Sequence, residues 1–383
     1  MPVGFPVRAA LVAALGLLIQ AGQARGQAEP EHPTISLGAG RSLELEGQLQ
    51  VQGASSSVDS VVTWDSELRR MRLTAIADAG GGFFGTLQTD FGTDRARVRD
   101  AFLEYRPSTH FALRLGQFKI PFNGIELISS KRLLVIERGN RIRGLPVDHT
   151  STFLDDNNLS ARNRGVMITA RFARDRLTLT GGGWTGSGED SEKNDGKELA
   201  ARIEYSVLPL PHETSKPLVL GVAAVTNGYF GTPRDTLRVV DGDSLSLEDS
   251  RYASAFEGWV EFGKYLLPGV HVAGNVIFGD NPQLFDARSG DLEFESFLGL
   301  QGWGEFLLTT GGSLLTAWAP AFRADQFDPD TGADDDASLL LTPGLNLYFG
   351  PNVKLQLNLD VNLPQSDALD TETAFRTQAQ LLF

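Results

Sequence analysis

The chain of 383 residues has no cysteine, which excludes disulfide frameworks and thiolate metal sites. Its five histidines, His32, His110, His149, His212 and His271, show no paired metal-ligand spacing, and none adjoins a serine in a nucleophile motif. Gly181-Gly182-Gly183 follows a strand-like run, yet no phosphate-loop lysine comes after it. Neither an enzyme nor a cofactor is expected. Beyond the amino terminus there is no apolar run of about 18 residues, the length a membrane-crossing helix needs, and no long stretch has amphipathic-helix periodicity. Positive charge is scarce overall, with a formal net charge of -14, and nucleic acid is not an expected partner.

What is present begins with an address. Arg8 precedes the apolar run Ala9 to Ile19, followed by small-residue sites ending at Ala24 and Ala28. This is the layout of a secretory signal. Residues 1–28 are therefore expected to be a signal peptide cleaved after Ala24 or Ala28, leaving 29–383 as the exported protein.

The mature part alternates with period two, broken by loops rich in Gly, Asp, Ser and Asn. Leu43, Leu45, Leu49 and Val51 share one face of a strand whose other face is Glu44, Glu46, Gln48 and Gln50. The same texture recurs at Met71 to Ala77, Phe83 to Phe91, Ala101 to Tyr105 and Phe111 to Leu115, and further strands are expected at Arg164 to Phe172, Leu177 to Trp184, Leu199 to Val207, Leu218 to Thr226, Tyr252 to Tyr265, Val270 to Phe278, Phe294 to Leu308 and Leu314 to Phe322. Near the end, Val353, Leu355, Leu357, Leu359 and Val361 alternate with Lys354, Gln356, Asn358, Asp360 and Asn362. Such strands face two different solvents. Short turns such as Leu267-Pro268-Gly269 alternate with long acidic loops such as Asp325 to Ser338, as in a barrel with tight turns at one rim and long loops at the other. Lipid cannot satisfy open strand edges, so the expected fold is all-β: a closed, transmembrane antiparallel β-barrel in the bacterial outer membrane. Roughly 355 residues at about 20 to 24 per strand and connection predict about 16 strands, wide enough for a water-filled bore.

Charge is segregated. Residues 69–176 hold 19 Lys or Arg against 11 Asp or Glu, while the remainder holds 15 against 37. Within this basic third, the stretch Gly116 to Asp148 breaks from strand pattern at Pro121 and Gly124 and carries Lys131, Arg132, Arg138, Arg141 and Arg143. Cations so dense repel one another unless anions or water lie among them. Residues 121–160 are expected to fold into the barrel as a constriction loop, those five residues forming an anion filter; a solvated surface loop would carry the same charges. Arg70, Arg72, Arg114 and Lys354 stand on polar strand faces and are expected to line the lumen, either free for anions or braced against Asp78, Asp90 and Glu104. Arg97 and Arg99 are in phase with Ala101 and Leu103, which places them on the lipid face unless they stand above the apolar band, and they receive no role. Asp328, Asp330, Asp334, Asp335 and Asp336 have the spacing of a calcium loop but lack its terminal glutamate, so a solvated outer loop bridged by divalent ions to lipopolysaccharide is the stronger reading.

Several blocks resemble the phosphate-selective porin O and P family: Leu115-Gly116-Gln117-Phe118-Lys119-Ile120-Pro121-Phe122, Ser129-Ser130-Lys131-Arg132, Glu137-Arg138, Arg162-Asn163-Arg164-Gly165-Val166, Gly344 to Tyr348 with Pro351-Asn352-Val353, and Phe375 through Phe383. The resemblance implies a 16-stranded barrel, usually a homotrimer, passing phosphate or polyphosphate by passive diffusion past arginines and lysines. The closing strand, ending on Phe383, resembles the signal read by the barrel-assembly machinery. Gly302 to Thr309 keeps only a blurred form of the family pattern, and the acidity of the chain leaves a weakly selective general porin as the alternative.

Overall fold

The computed structural model describes residues 32–58, 61–92, 95–138, 149–160, 162–186, 188, 196–207, 217–229, 236–238, 244–246, 251–286, 293–366 and 368–383. The expected signal, Arg141 and Arg143 lie outside the described residues.

A short strand, β1 (Thr34–Gly38), pairs with the start of β2 (Arg41–Val58). There follow β3 (Val61–Gly80), β4 (Phe83–Asp90), β5 (Arg97–Ser108) and β6 (Phe111–Lys119). Chain order then leaves the sheet through α1 (Gly124–Leu127), a 3-10 turn at Ser130–Arg132 and α2 (Thr150–Asp156). It re-enters as β7 (Arg162–Phe172), β8 (Leu177–Trp184), β9 (Glu198–Ser206) and β10 (Leu218–Tyr229). After a small hairpin of β11 (Thr236–Arg238) and β12 (Ser244–Ser246) come β13 (Arg251–Phe262), β14 (Gly269–Asp286), β15 (Glu293–Thr309), β16 (Ala317–Asp328), β17 (Ser338–Phe349), β18 (Val353–Pro364) and β19 (Glu372–Leu382).

Sequential neighbours pair antiparallel, and β19 pairs back onto β2 through Thr373↔Ser57 to Leu382↔Gln48, closing the sheet. Leaving out β1 and the small hairpin, β2 to β10 and β13 to β19 make the 16 strands of one closed barrel, which satisfies every edge as a lipid setting requires. Strands of 12 residues such as β16 and β18, at about 3.3 Å per residue and a tilt of about 45°, span roughly 28 Å, the thickness of a hydrocarbon core. The barrel is apolar outward: Leu103, Leu115, Leu199 and Val222 are more than half exposed, while Gln50, Asn346, Gln356 and Asp360 are fully buried. Short turns gather at one rim, where Phe383 and Gly47 of β2 exchange backbone hydrogen bonds.

Two details depart from the sequence expectation. The strand expected from Leu314 begins at Ala317, because Thr316 is spent in the turn, where its carbonyl accepts from Thr310 N–H at 3.0 Å. The inner face is not polar all round: Trp259, Ala273, Phe297, Trp303 and Phe327 on β13 to β16 are buried and apolar. They are covered by the described parts of the 121–160 segment. Leu133, Leu134 and Val135 pack on Trp259, Ala273 and Trp303, and Phe153 of α2 sits between Phe297 and Phe327, its ring centroid 4.7 and 5.0 Å from theirs.

Candidate functional site

The segment after β6 begins where Pro121 withholds a ladder donor. Its backbone leaves carbonyls and amides that the wall must satisfy, and an amide-rich face does so. Lys354 Nζ and Gln356 Nε2 donate to Leu133 O at 2.9 and 3.2 Å, Asn346 Nδ2 to Leu134 O at 2.9 Å, and Gln380 Nε2 to Lys131 O at 3.2 Å. Ile136 N–H donates to Asn358 Oδ1 at 2.7 Å. Further along, the buried Glu137 accepts from Arg69 Nε at 2.7 Å, Arg70 NH2 at 2.8 Å and Gln52 Nε2 at 3.0 Å. Arg323 NH1 donates to the carbonyl of Glu137 at 2.8 Å. The segment is thus fastened across the inner face of β16 to β19, β2 and β3.

That fastening fills one side of the interior and leaves space along β2 to β9. Among the cavities there, two adjoin one another. The upper one, about 190 Å³, has only ionisable residues in its lining. Arg69, Arg70, Arg97, Arg99 and Arg138 line it together with Arg72, Lys119 and Arg162, against three carboxylates, Asp90, Glu126 and Asp155. The lower one, about 560 Å³, runs toward the short-turn rim. Arg72, Lys119 and Arg162 line both, so they stand between the two spaces. Each is fixed by a carboxylate: Arg72 Nε to Asp90 at 2.6 Å, Lys119 Nζ to Glu126 at 2.9 Å, and Arg162 in bidentate fashion to Asp100 at 2.8 and 2.9 Å. Arg72 NH1 also donates to Ser130 Oγ at 2.9 Å. A guanidinium has five donors, so one carboxylate does not exhaust it.

The side chains of the three expected filter residues that are described lie apart from one another. Lys131 lines the lower cavity and pairs with Glu46; Arg132 is exposed at the end of the 3-10 turn. Arg138 lines the upper cavity, donating to Ile125 O at 3.1 Å and pairing with Glu126 at 3.3 Å. Arg70 and Arg72 do face the interior, and Arg114 does too, lining the lower cavity with its guanidinium on Glu104 and 4.2 Å above the Phe102 ring. Lys354 points inward but is buried beneath Leu133 rather than facing open space.

Sequence reasoning missed Arg69, Arg97, Arg99, Lys119 and Arg162. Two β-bulges account for three of these. On β3, Gln50 pairs with Arg70 and the next residue, Val51, with Leu68, so Arg69 is the extra residue. On β5, Gln88 pairs with Asp100 and Thr89 with Val98, so Arg99 is extra. Each bulge shifts the alternation by one, which turns Arg97 and Arg99 to the cavity and overturns their lipid-facing phase. Lys119 and Arg162 are paired residues at strand ends, where alternation no longer fixes direction; their one signal was position, beside Pro121 and in Arg162-Asn163-Arg164.

Charge within the segment is held firmly. Burial favours the neutral acid of Glu126, but Arg138 and Lys119 outweigh it and hold it down to about 2. Glu137 is likewise kept well below the usual carboxylate range, Arg69 and Arg70 overcoming its burial. His149 has both ring nitrogens buried without a partner among the described residues; burial, then the charge of Arg323, push it down to about 3.

A closed 16-stranded barrel with an apolar outside and a charged, cavity-bearing inside is a bacterial outer-membrane channel. Residues 43–245 match the family described as phosphate-selective porin O and P, more than half of the chain, and the protein belongs to that family. No curated protein matches the chain. Among solved structures, the outer-membrane channel DcaP of Acinetobacter baumannii is similar at 11% identity with a TM-score of 0.60, covering 94% of this chain and 100% of that one. An anion-selective porin from Comamonas acidovorans is similar at 11% identity and a TM-score of 0.59, covering 90% and 100%. OmpT of Vibrio cholerae, in a trimer form, is similar at 12% identity and a TM-score of 0.57, covering 90% and 99%. At these identities the likeness is one of fold.

Proposed function

We propose that the protein is a passive diffusion channel selective for anions, chiefly phosphate or polyphosphate, with Arg72, Lys119 and Arg162 as its narrow point and the 121–160 segment as the loop that narrows it. The observation that carries this is the sharing of those three cations by the two cavities. A phosphate passing between them would meet three cations able to give charge-assisted hydrogen bonds, two of them guanidinium groups suited to bidentate contact with its oxygens. Membership of a phosphate-selective family and the anion-selective porin of the same fold support the reading. The trimer form of the Vibrio cholerae barrel supports a homotrimer, and Phe383, hydrogen-bonded to Gly47 at the rim, suits recognition by the assembly machinery.

Reversal potential across a KCl gradient in a planar bilayer tests it, followed by millimolar phosphate added to the chloride current. The parent is expected to prefer chloride and to be blocked by phosphate. Arg162→Gln, made together with Asp100→Asn so that no carboxylate is stranded, is expected to weaken the block about tenfold, the loss of one charge-assisted contact. A preference for potassium, or current indifferent to phosphate, would instead establish a general porin.

A further inference from the structure

The two cavities on the proposed pathway differ in chemistry. The upper lining is ionic throughout. The lower cavity also meets Phe102, Phe118 and Met167 on one side and Thr169, Thr178 and Thr180 on another. Its volume, about 560 Å³, falls in the range of pockets that enclose small organic molecules, and an inorganic phosphate would leave most of it to water. Its apolar surface is organised rather than incidental. Phe118 meets Phe102 edge-on at 5.9 Å, and the Arg114 guanidinium lies 4.2 Å above the Phe102 ring. The same guanidinium stands 5.4 Å from the Phe118 ring and remains partly exposed, so this cluster of rings and cation offers a flat group apolar and cationic contact together.

We propose that this lower cavity is a binding site for small organic anions, phosphate monoesters or carboxylates with an aromatic body. The anionic head sits at Arg72, Lys119 and Arg162, and the body lies along Arg114, Phe102 and Met167. The site rests on the anion pathway argued above and extends its cargo from inorganic oxyanions to organic ones that reach it from the short-turn rim. Apolar contact adds to affinity in proportion to the area removed from water, and the threonine hydroxyls accept or donate to whatever polar group the body carries.

The experiment compares phenyl phosphate with inorganic phosphate as blockers of chloride current through the full-length channel in a planar bilayer, each added to the short-turn side. The quantity read is the ratio of their half-blocking concentrations, which is independent of total conductance. In the parent, phenyl phosphate is expected to block at about a tenth of the concentration that inorganic phosphate requires, the return on roughly 55 Å² of apolar contact. In Phe102→Ala and in Met167→Ala the ratio is expected to move several-fold back toward one. A parent ratio of one overturns the organic site while leaving the anion pathway standing. Absence of block by either compound, with potassium preferred over chloride, overturns the pathway and this site with it. The parent measurement decides the matter even where a variant fails to assemble.

Discussion

Gly116 sits at a backbone angle that only glycine takes without strain, φ +136, and a Cβ there would stand 2.2 Å from the carbonyl oxygen of Ala101 and 2.7 Å from the Cα of Phe102. Those neighbours are backbone in a paired strand and cannot swing aside. Gly116→Ala is therefore expected to cost about 2 to 4 kcal/mol, read as a lower unfolding midpoint in denaturant-titrated detergent micelles, and an unchanged midpoint would show that β5 and β6 yield there. At the same scale, Arg99 adds a cation that the alternation of its own strand conceals. Arg99→Gln is expected to lower the chloride preference in reversal-potential measurements by about twofold, a modest effect because several arginines share the cavity and water screens each of them. The contrast with Arg97 and Arg99 as a lipid-facing pair is instructive: sequence gives the period of a strand, but one inserted residue inverts everything beyond it, and no residue type announces a bulge.

At the scale of elements, the strands were legible because each divides hydrocarbon from an interior, and Val353 to Val361 carry that division without a break. The loop was legible as a cluster of cations but not as a shape. Its register against the wall is set by amides and carbonyls, such as Asn346 on Leu134 and Asn358 on Ile136, which look alike in any sequence. The same amides state what loosening would do. Asn358→Leu leaves the buried Ile136 N–H without its acceptor and should cost about 1 to 3 kcal/mol, together with noisier open-channel current; a quiet current in that variant would mean that the loop is held elsewhere. His149 gives the loop a pH dependence of known sign. Its imidazole stays neutral in the folded protein down to about pH 3, against a usual value of 6.5, so the unfolded chain takes up a proton first and stability falls as pH drops between those values. His149→Phe should flatten that part of the acid profile, measured as heat-induced unfolding in detergent from pH 7 to pH 4, whereas an identical slope in parent and variant would assign the acid sensitivity to other groups. Glu126, held down from 4.5 to about 2, stays charged in the folded protein through most of this window and contributes stability that is lost progressively as pH falls from about 4.5, where the unfolded chain protonates, toward 2.

For the whole molecule, the interior is divided unevenly. The walls from β13 to β19 grip the loop through Trp259, Trp303, Gln356 and Lys354, and the described cavity with shared cations runs beside β2 to β9. A net charge of -14 is therefore compatible with the proposed anion path, because the acidic excess lies outside the basic third that builds the open wall. Field, not net charge, decides what passes. This division sorts mutations by wall. Gln356→Ala, on the gripping side, is expected to lower thermal stability in detergent with little change in chloride preference. Lys119→Gln, on the open side, is expected to reduce chloride preference with little change in stability. Salt sharpens the test, since the Debye length falls from about 10 Å at 0.1 M to about 3 Å at 1 M: parent selectivity should decline over that range, and the Lys119→Gln channel, already short of one charge, should decline less. Equal effects of both substitutions on selectivity would place the path through the centre of the barrel instead of along β2 to β9.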